Sequence, residues 1–393
     1  VKILDVAETY SPHGGGVRTY LHNKLARAAE AGHEAVIVAP GERDGVEDAN
    51  GGRIVWLASP VLPLDKRYRL FTSKRALEEV IAAEDPDVLE VSAPQLSAYF
   101  LSDWRGRAKK SFVFHTDLVA VHLETAFGHR LGWERADRWF APAWAPLRRL
   151  SRGFDVTVCA GHWLRERLEQ RGLERVRAVP FGIEKDFFSP SRRDPAVRAA
   201  LVKEAGAAEG AALVVVLGRL VPEKRSKMLV RAFVRAARQR PMALVVFGGG
   251  PAESALRELA DRERDGLAAA GSGILVAGHT SDRERVAAGL ATADALLHGS
   301  AAETYGIAVA EALCSGLPVV APDRGGAGAL VDGACGELYV AGDEAACARA
   351  LLALLDRDRD ELARGCAAAR ERIRHLDQHF DDLFALYAEL VAR

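Results

Sequence analysis

Apolar runs just long enough for buried strands recur along this chain, and between most of them apolar positions return at the three- and four-residue spacing of a helix face. In the first half the runs fall at 2–6, 35–38, 54–57, 87–91, 111–115, 154–158 and 176–180. In the second half they fall at 213–217, 243–247, 274–277, 295–298, 318–320 and 337–339. Val17, Tyr20, Leu21, Leu25 and Ala28 share one face of the helix expected after the first run. Alternation of this kind predicts parallel sheets covered on both faces. Pro180, Gly182, Pro190 and Pro195 punctuate the chain between the two series, which makes that stretch the expected interdomain linker. An amphipathic helix carrying Phe380, Leu383, Phe384, Tyr387, Leu390 and Val391 closes the chain.

The densest information lies in 294–320, DALLHGSAAETYGIAVAEALCSGLPVV. It reads as a buried strand ending near His298, a small-residue loop, a helix opening at about Tyr305, a stop at Gly316 and a second strand through Val319 and Val320. Glu303 stands before the helix and Glu311 lies within it. Eight helical positions span about 12 Å, more than the roughly 5 to 9.5 Å between paired glycosidase carboxylates. Two acids so spaced suit different parts of one extended ligand. Between them the N–H groups of Tyr305, Gly306 and Ile307 open the helix, an end that attracts anions.

Other strand ends carry candidate chemistry. In an open parallel sheet the carboxyl ends of the strands face the ligand crevice. The first strand leads into Gly14, Gly15 and Gly16, read either as a backbone that approaches an anion closely or as a plain tight turn. This loop forms neither a GxGxxG fingerprint nor a Walker loop. Strand 111–115 ends in His115, placed for chemistry or serving structure alone. Strand 213–217 runs into Gly218, Arg219 and Leu220, with Lys224 just beyond. A planar fork and a point charge suit a diphosphate, and solvated surface charge is the alternative. Gly248–Gly250 and Gly278 with His279 end two more strands where small residues admit a ligand.

Composition excludes several classes. Hydrophobic residues make up 49% of 393 and the formal net charge is −1, which suits a soluble two-domain protein and argues against a bulk nucleic-acid binder. No run of about 18 uncharged apolar residues occurs, and a cytoplasmic location is expected. The 5 cysteines lack CxxC spacing, so they are expected to be reduced, buried and small. Asp85-Pro86-Asp87 has the form of a metal-binding DxD but reads as a turn, and the alternating Asp356–Asp360 run reads as a helix end. No metal is expected. Residues 122–152 interleave arginines with Phe127, Trp133, Trp139, Phe140 and Trp144. They suit either a core helix with a solvated arginine face or a peripheral contact with an anionic membrane surface.

Taken together, Glu303-x7-Glu311 with the GlyLeuProValVal stretch at 316–320, Gly218-Arg219-Leu220 with Lys224, and the 14–16 glycine loop resemble the retaining glycosyltransferases of family 4. The resemblance implies the GT-B architecture, two Rossmann-like domains facing across a cleft. It implies an N-terminal acceptor domain over 1–184, completed by the terminal helix over 376–393, and a donor domain over 185–375. It implies a nucleotide-sugar co-substrate, with GDP-mannose and UDP-glucose the leading donors, and no other cofactor. Glu311 would hold the ribose, Glu303 and the 305–307 amides the sugar, and Arg219 with Lys224 the diphosphate. His115 would reach the sugar, Gly15 and Gly16 the phosphates or the acceptor, and Gly278 and His279 the base. The acceptor would be a glycan, glycolipid or small molecule. Two features depart from the family: no glutamate follows Gly325 and Gly326, and His298-Gly299-Ser300 stands where a proline-serine pair is usual. A sugar-nucleotide epimerase, a phosphorylase and a non-catalytic nucleotide-sugar-binding protein share the architecture and remain alternatives.

Overall fold

The computed structural model describes residues 1–11, 16–62 and 68–393. Gly14 and Gly15 of the expected glycine loop lie outside these residues, and Gly16 begins the helix Gly16–Glu30. The chain divides into two compact units.

The first unit comprises Val1–Thr116, Phe140–Pro180 and Asp377–Arg393. Its 8-stranded sheet runs in the order Gly45–Ala49, Gly52–Ala58, Glu34–Gly41, Lys2–Val6, Val88–Ser92, Lys109–Phe114, Val156–Cys159 and Val176–Ala178. All neighbours pair in parallel except the edge strand Gly45–Ala49, which is antiparallel to Gly52–Ala58. That edge strand escapes the hydrophobic pattern because every residue in it is exposed or nearly so.

Strand order reverses direction between Lys2–Val6 and Val88–Ser92, and a charged cluster is buried beneath this point. Asp5 lies opposite Glu90 across the two strands, and Lys24 from the following helix joins them. Its ammonium contacts Asp5 at 3.0 Å and also Glu90. Three ions out of water require partners. Ser92 donates to Asp5 at 3.1 Å and Tyr387 to Glu90 at 2.5 Å. Burial, with Asp5 adding to it and Lys24 opposing, pushes the Glu90 carboxyl up to about 7. Tyr387 belongs to the terminal helix Leu376–Val391, whose Phe380 and Phe384 rings stack at 6.2 Å. His379 of the same helix meets the Tyr20 hydroxyl at 3.0 Å and the Pro180 carbonyl at 2.9 Å.

The second unit comprises Asp117–Trp139 and Phe181–Leu376. Its 6-stranded sheet is parallel throughout, in the order Gly273–Gly278, Met242–Phe247, Ala212–Leu217, Ala295–Leu297, Val319–Pro322 and Gly336–Tyr339. Numbered along this sheet alone the order is 3-2-1-4-5-6, the doubly wound order of a dinucleotide-type fold. Its core is built from Val214, Val216, Leu244, Val246, Phe233 and Leu297 among others.

Residues 117–139 were expected with the first domain, yet they group with the second. Trp133 is the reason. Its indole N–H donates to the Ala341 carbonyl at 3.1 Å, and Arg225 and Arg324 lie over its ring at 5.6 and 5.0 Å. Arg324 also pairs with Asp137 at 3.1 Å. The aromatic-basic stretch is therefore divided between the two units. Trp144 is fully buried, whereas Trp139 and Phe127 are exposed by 73% and 45%.

Arg107 pairs with both carboxylates of the DxD sequence, Asp85 at 2.6 Å and Asp87 at 3.2 Å. Asp358 caps the helix Arg359–Arg372, accepting from the Glu361 N–H. Among the described residues no group of three or more His, Cys, Asp and Glu is placed to hold a metal ion, and all 5 cysteines are free and buried. No helix of the described residues is long and apolar enough to cross a membrane.

Candidate active site

In the second sheet the strand order reverses between Ala212–Leu217 and Ala295–Leu297. Loops leaving the carboxyl ends of two strands at such a point diverge and leave a crevice. The first of these loops carries Gly218, Arg219 and Lys224; the second carries His298, Gly299 and Glu303.

Backbone contacts fix the first loop. Gly218 N–H donates to Phe247 O at 3.0 Å, Leu220 N–H to Gly249 O at 2.9 Å, and Gly248 N–H to Gly278 O at 2.8 Å. The carboxyl ends of three strands are thereby laced together. A Cβ on Gly248, which has φ of +137°, would fall 1.9 Å from Gly218 O, so this glycine serves a close backbone approach. Arg219 extends into solvent and forms no ion pair with the described residues. Lys224 ends a single helical turn, Pro222–Lys224. Gly278 closes its own strand at φ of +76°, and His279 after it is exposed.

The second loop brings Glu303 onto Lys224. The ammonium and carboxylate form an ion pair, with His298 Nε2 at 3.5 Å from the same carboxylate oxygen. Burial raises the Glu303 carboxyl, but the charge of Lys224 and then the facing His298 imidazole outweigh it and hold it well below the usual range. Glu303 is consequently ionised. Gly325, Gly326 and Ala327 press against this loop: Gly326 N–H donates to Glu303 O at 2.7 Å, and a Cβ on Gly326 would lie 2.5 Å from Thr304 O. The segment lacking the expected glutamate thus seats the Glu303 loop through its backbone.

The helix opens at Ile307, two positions later than expected, with Gly306 as its cap at φ of +100°. A Cβ there would meet Ala327 Cα at 2.8 Å, so a left-handed, side-chain-free residue is needed on two counts. The open N–H groups are accordingly those of Ile307 and Ala308, since Val309 and Ala310 already donate to Gly306 O. Tyr305, expected to offer its amide, is buried, with its ring edge-on to Phe181 at 5.8 Å.

Glu311 sits apart from the Lys224 cluster, on the helix Ile307–Cys314. Burial pushes its carboxyl up to about 8, with Arg283 opposing and Glu184 reinforcing. The two acids of the Glu-x7-Glu pair therefore differ in charge near neutrality, because Lys224 pairs with Glu303 while among the described residues no cation pairs with Glu311 and the pull of Arg283 is smaller than the effect of burial. His115 belongs to the first unit, one residue past Lys109–Phe114. Its ring lies edge-on to Tyr20 at 5.5 Å. Burial lowers its pKa to about 4, Asp5 opposing and Lys24 reinforcing, so the imidazole is neutral at pH 7.

Two family profiles match this chain. Residues 14–187 match the profile of Glycosyltransferase Family 4 and residues 211–357 that of Glycosyl transferases group 1. A GDP-mannose-dependent α-(1-6)-phosphatidylinositol dimannoside mannosyltransferase of Mycobacterium tuberculosis is 30% identical over 81% of this chain and 79% of its own length. The chain belongs to glycosyltransferase family 4.

A second relative of this family 4 protein, a GDP-mannose-dependent α-(1-6)-phosphatidylinositol monomannoside mannosyltransferase of the same species, is 31% identical over 94% of this chain and 93% of its own. Among solved structures, sucrose-phosphate synthase of Thermosynechococcus elongatus superposes with a TM-score of 0.75 at 17% identity, covering 100% of this chain and 99% of the other. The two units are the Rossmann-like halves of the GT-B fold. His298 was noted in the sequence only as a departure from the usual proline-serine pair, and its place against Glu303 was not legible there.

Proposed function

We propose that this glycosyltransferase moves mannose from GDP-mannose to a hydroxyl of a glycolipid or glycan acceptor, with retention of anomeric configuration and without a metal. The observation that carries the reading is the set of groups at the switch point of the second sheet. Arg219 is free among the described residues, Lys224 is tied only to Glu303, and the first-turn amides of Ile307 and Ala308 are open. Cleaving a sugar-phosphate bond places negative charge on the leaving diphosphate. Cations and helix-end amides that meet that charge stabilise it. The donor follows the relatives, whose names specify GDP-mannose, as does a lipid-linked acceptor. Trp139 and Phe127 support a peripheral contact with a membrane that presents such an acceptor.

In this reading Glu303 holds the sugar hydroxyls, Glu311 the ribose, Arg219 and Lys224 the diphosphate, and Gly278 with His279 border the base. His115 is assigned to the reaction on family resemblance, as a neutral imidazole. No protein nucleophile is assigned.

The test incubates the protein with GDP-mannose or UDP-glucose labelled in the sugar, with and without a phosphatidylinositol mannoside, in excess EDTA. Expected is transfer of label from GDP-mannose to the lipid, with GDP released and the α-anomer seen in the product by NMR. Epimerised donor, or no acceptor-dependent release of GDP, would overturn the reading.

A further inference from the structure

His298 is a buried histidine whose Nε2 has no hydrogen-bond partner. Its side chain is only 4% exposed, it follows a strand of buried apolar residues, and it helps line a small cavity with Gly218, Arg219, Lys224 and Gly299. Leaving a polar nitrogen unpaired in such a place is costly, and a leucine would fill it at no such cost. The backbone around it is fixed. Tyr339 donates to the His298 carbonyl at 2.8 Å, and a Cβ on Gly299 would lie 2.5 Å from the Lys224 carbonyl. The nitrogen looks at Glu303 Oε1 across 3.5 Å, a few tenths of an ångström beyond a normal hydrogen bond.

Lys224 now occupies Glu303, yet the reading above, on which this inference rests, gives Lys224 to the donor diphosphate. When the ammonium turns toward the phosphates, a buried carboxylate loses its cation. We propose that His298 is a positioning residue that takes over Glu303 as Lys224 moves to the diphosphate. A small ring movement closes the Nε2–H to carboxylate bond, a tautomer that the facing carboxylate favours. Glu303 then stays ionised and in place for the sugar while its former partner grips the leaving group. Besides Glu303, the charged groups around the ring are Lys224 and Arg219, both cationic. Neither can replace the histidine on Glu303 without leaving the phosphates.

The test is a double-mutant cycle on nucleotide affinity, read by isothermal titration of GDP, UDP and ADP into the full chain. His298→Leu is expected to weaken the bound nucleotide about 10- to 100-fold, the range of a hydrogen bond to a charged group, because Glu303 no longer releases Lys224. In a Glu303→Gln background, where no carboxylate competes for Lys224, the same change is expected to cost less than about threefold. His298→Gln, which keeps an N–H at similar reach, is expected to recover most of the loss. Equal losses in both backgrounds would show a packing role and overturn the proposal, as would no loss in either. If His298→Leu melts before binding can be read, His298→Met, of similar reach and without a donor, carries the cycle. A wild-type protein that binds none of the three nucleotides defeats the functional reading and this inference with it. One that binds but shows no coupling defeats this inference alone.

Discussion

Replacing Glu311 by glutamine should make the protein more stable above neutrality and a weaker nucleotide binder. Glu311 is partly exposed, pairs with no cation among the described residues, and its pKa stands at about 8 against an ordinary 4.5. A folded-state pKa raised above the unfolded value means that the native state binds more protons between those two values. Stability is then fully present below about pH 4.5 and falls as pH rises toward 8. At about 1.4 kcal/mol per tenfold, the bound on this loss is roughly 5 kcal/mol at high pH. Partial solvent contact and local relaxation bring the expected figure down to about 1–2 kcal/mol. Glutamine keeps the shape and removes the charge, so Glu311→Gln should gain that amount at pH 8.5 and nothing at pH 4.5.

Thermal melts of both proteins from pH 5 to 9 measure the difference directly. In the same variant GDP should bind about tenfold more weakly, by loss of the ribose contact, while inorganic diphosphate should be unaffected. Wild-type affinity for GDP should also rise with pH toward 8, as the carboxylate that accepts from the ribose hydroxyls forms, and this slope should vanish in the variant. Parallel melting curves for the two proteins across the whole range would refute the reasoning. An unchanged GDP affinity would remove Glu311 from the nucleotide site.

Three further outcomes are expected. Lys224→Met should leave Glu303 buried with only His298 facing it, destabilising the second unit by about 2–3 kcal/mol at pH 7. Denaturant unfolding should show Glu303→Gln in the same chain restoring most of this loss. Gly326→Ala places a Cβ 2.5 Å from Thr304 O and should cost about 1–3 kcal/mol. It should lower transfer from GDP-mannose more than it lowers GDP affinity, because the displaced loop carries Glu303; an equal fall in both would show that the loop does not position the sugar. Tyr387→Phe removes the 2.5 Å bond to the buried Glu90 carboxylate and should cost about 1.5–3 kcal/mol, read as a shifted denaturant midpoint without loss of GDP binding.

The sequence by itself determined the repeating architecture and the residue types at the strand ends. Runs such as Leu213–Leu217 and Met242–Phe247 are apolar throughout because both faces of a parallel sheet are covered, and that signal is local. The exposed strand Gly45–Ala49 carried no such signal and was missed. Glu303, Arg219 and Lys224 could be singled out as candidates because loops at strand ends concentrate ligand chemistry, and Glu311 by its spacing from Glu303. Tertiary structure decided which groups each one faces. Lys224 and Glu303 lie far apart in sequence, and only the reversal of strand order brings them together. The same packing pairs no cation with Glu311 among the described residues, so two identical side chains acquire opposite pKa shifts, one downward and one up to about 8. It also packed Trp133 within the second unit and placed His298 Nε2 3.5 Å from Glu303. Composition and periodicity register which side chain is present and how often. Charge pairing depends on three-dimensional neighbours, which sequence spacing does not encode.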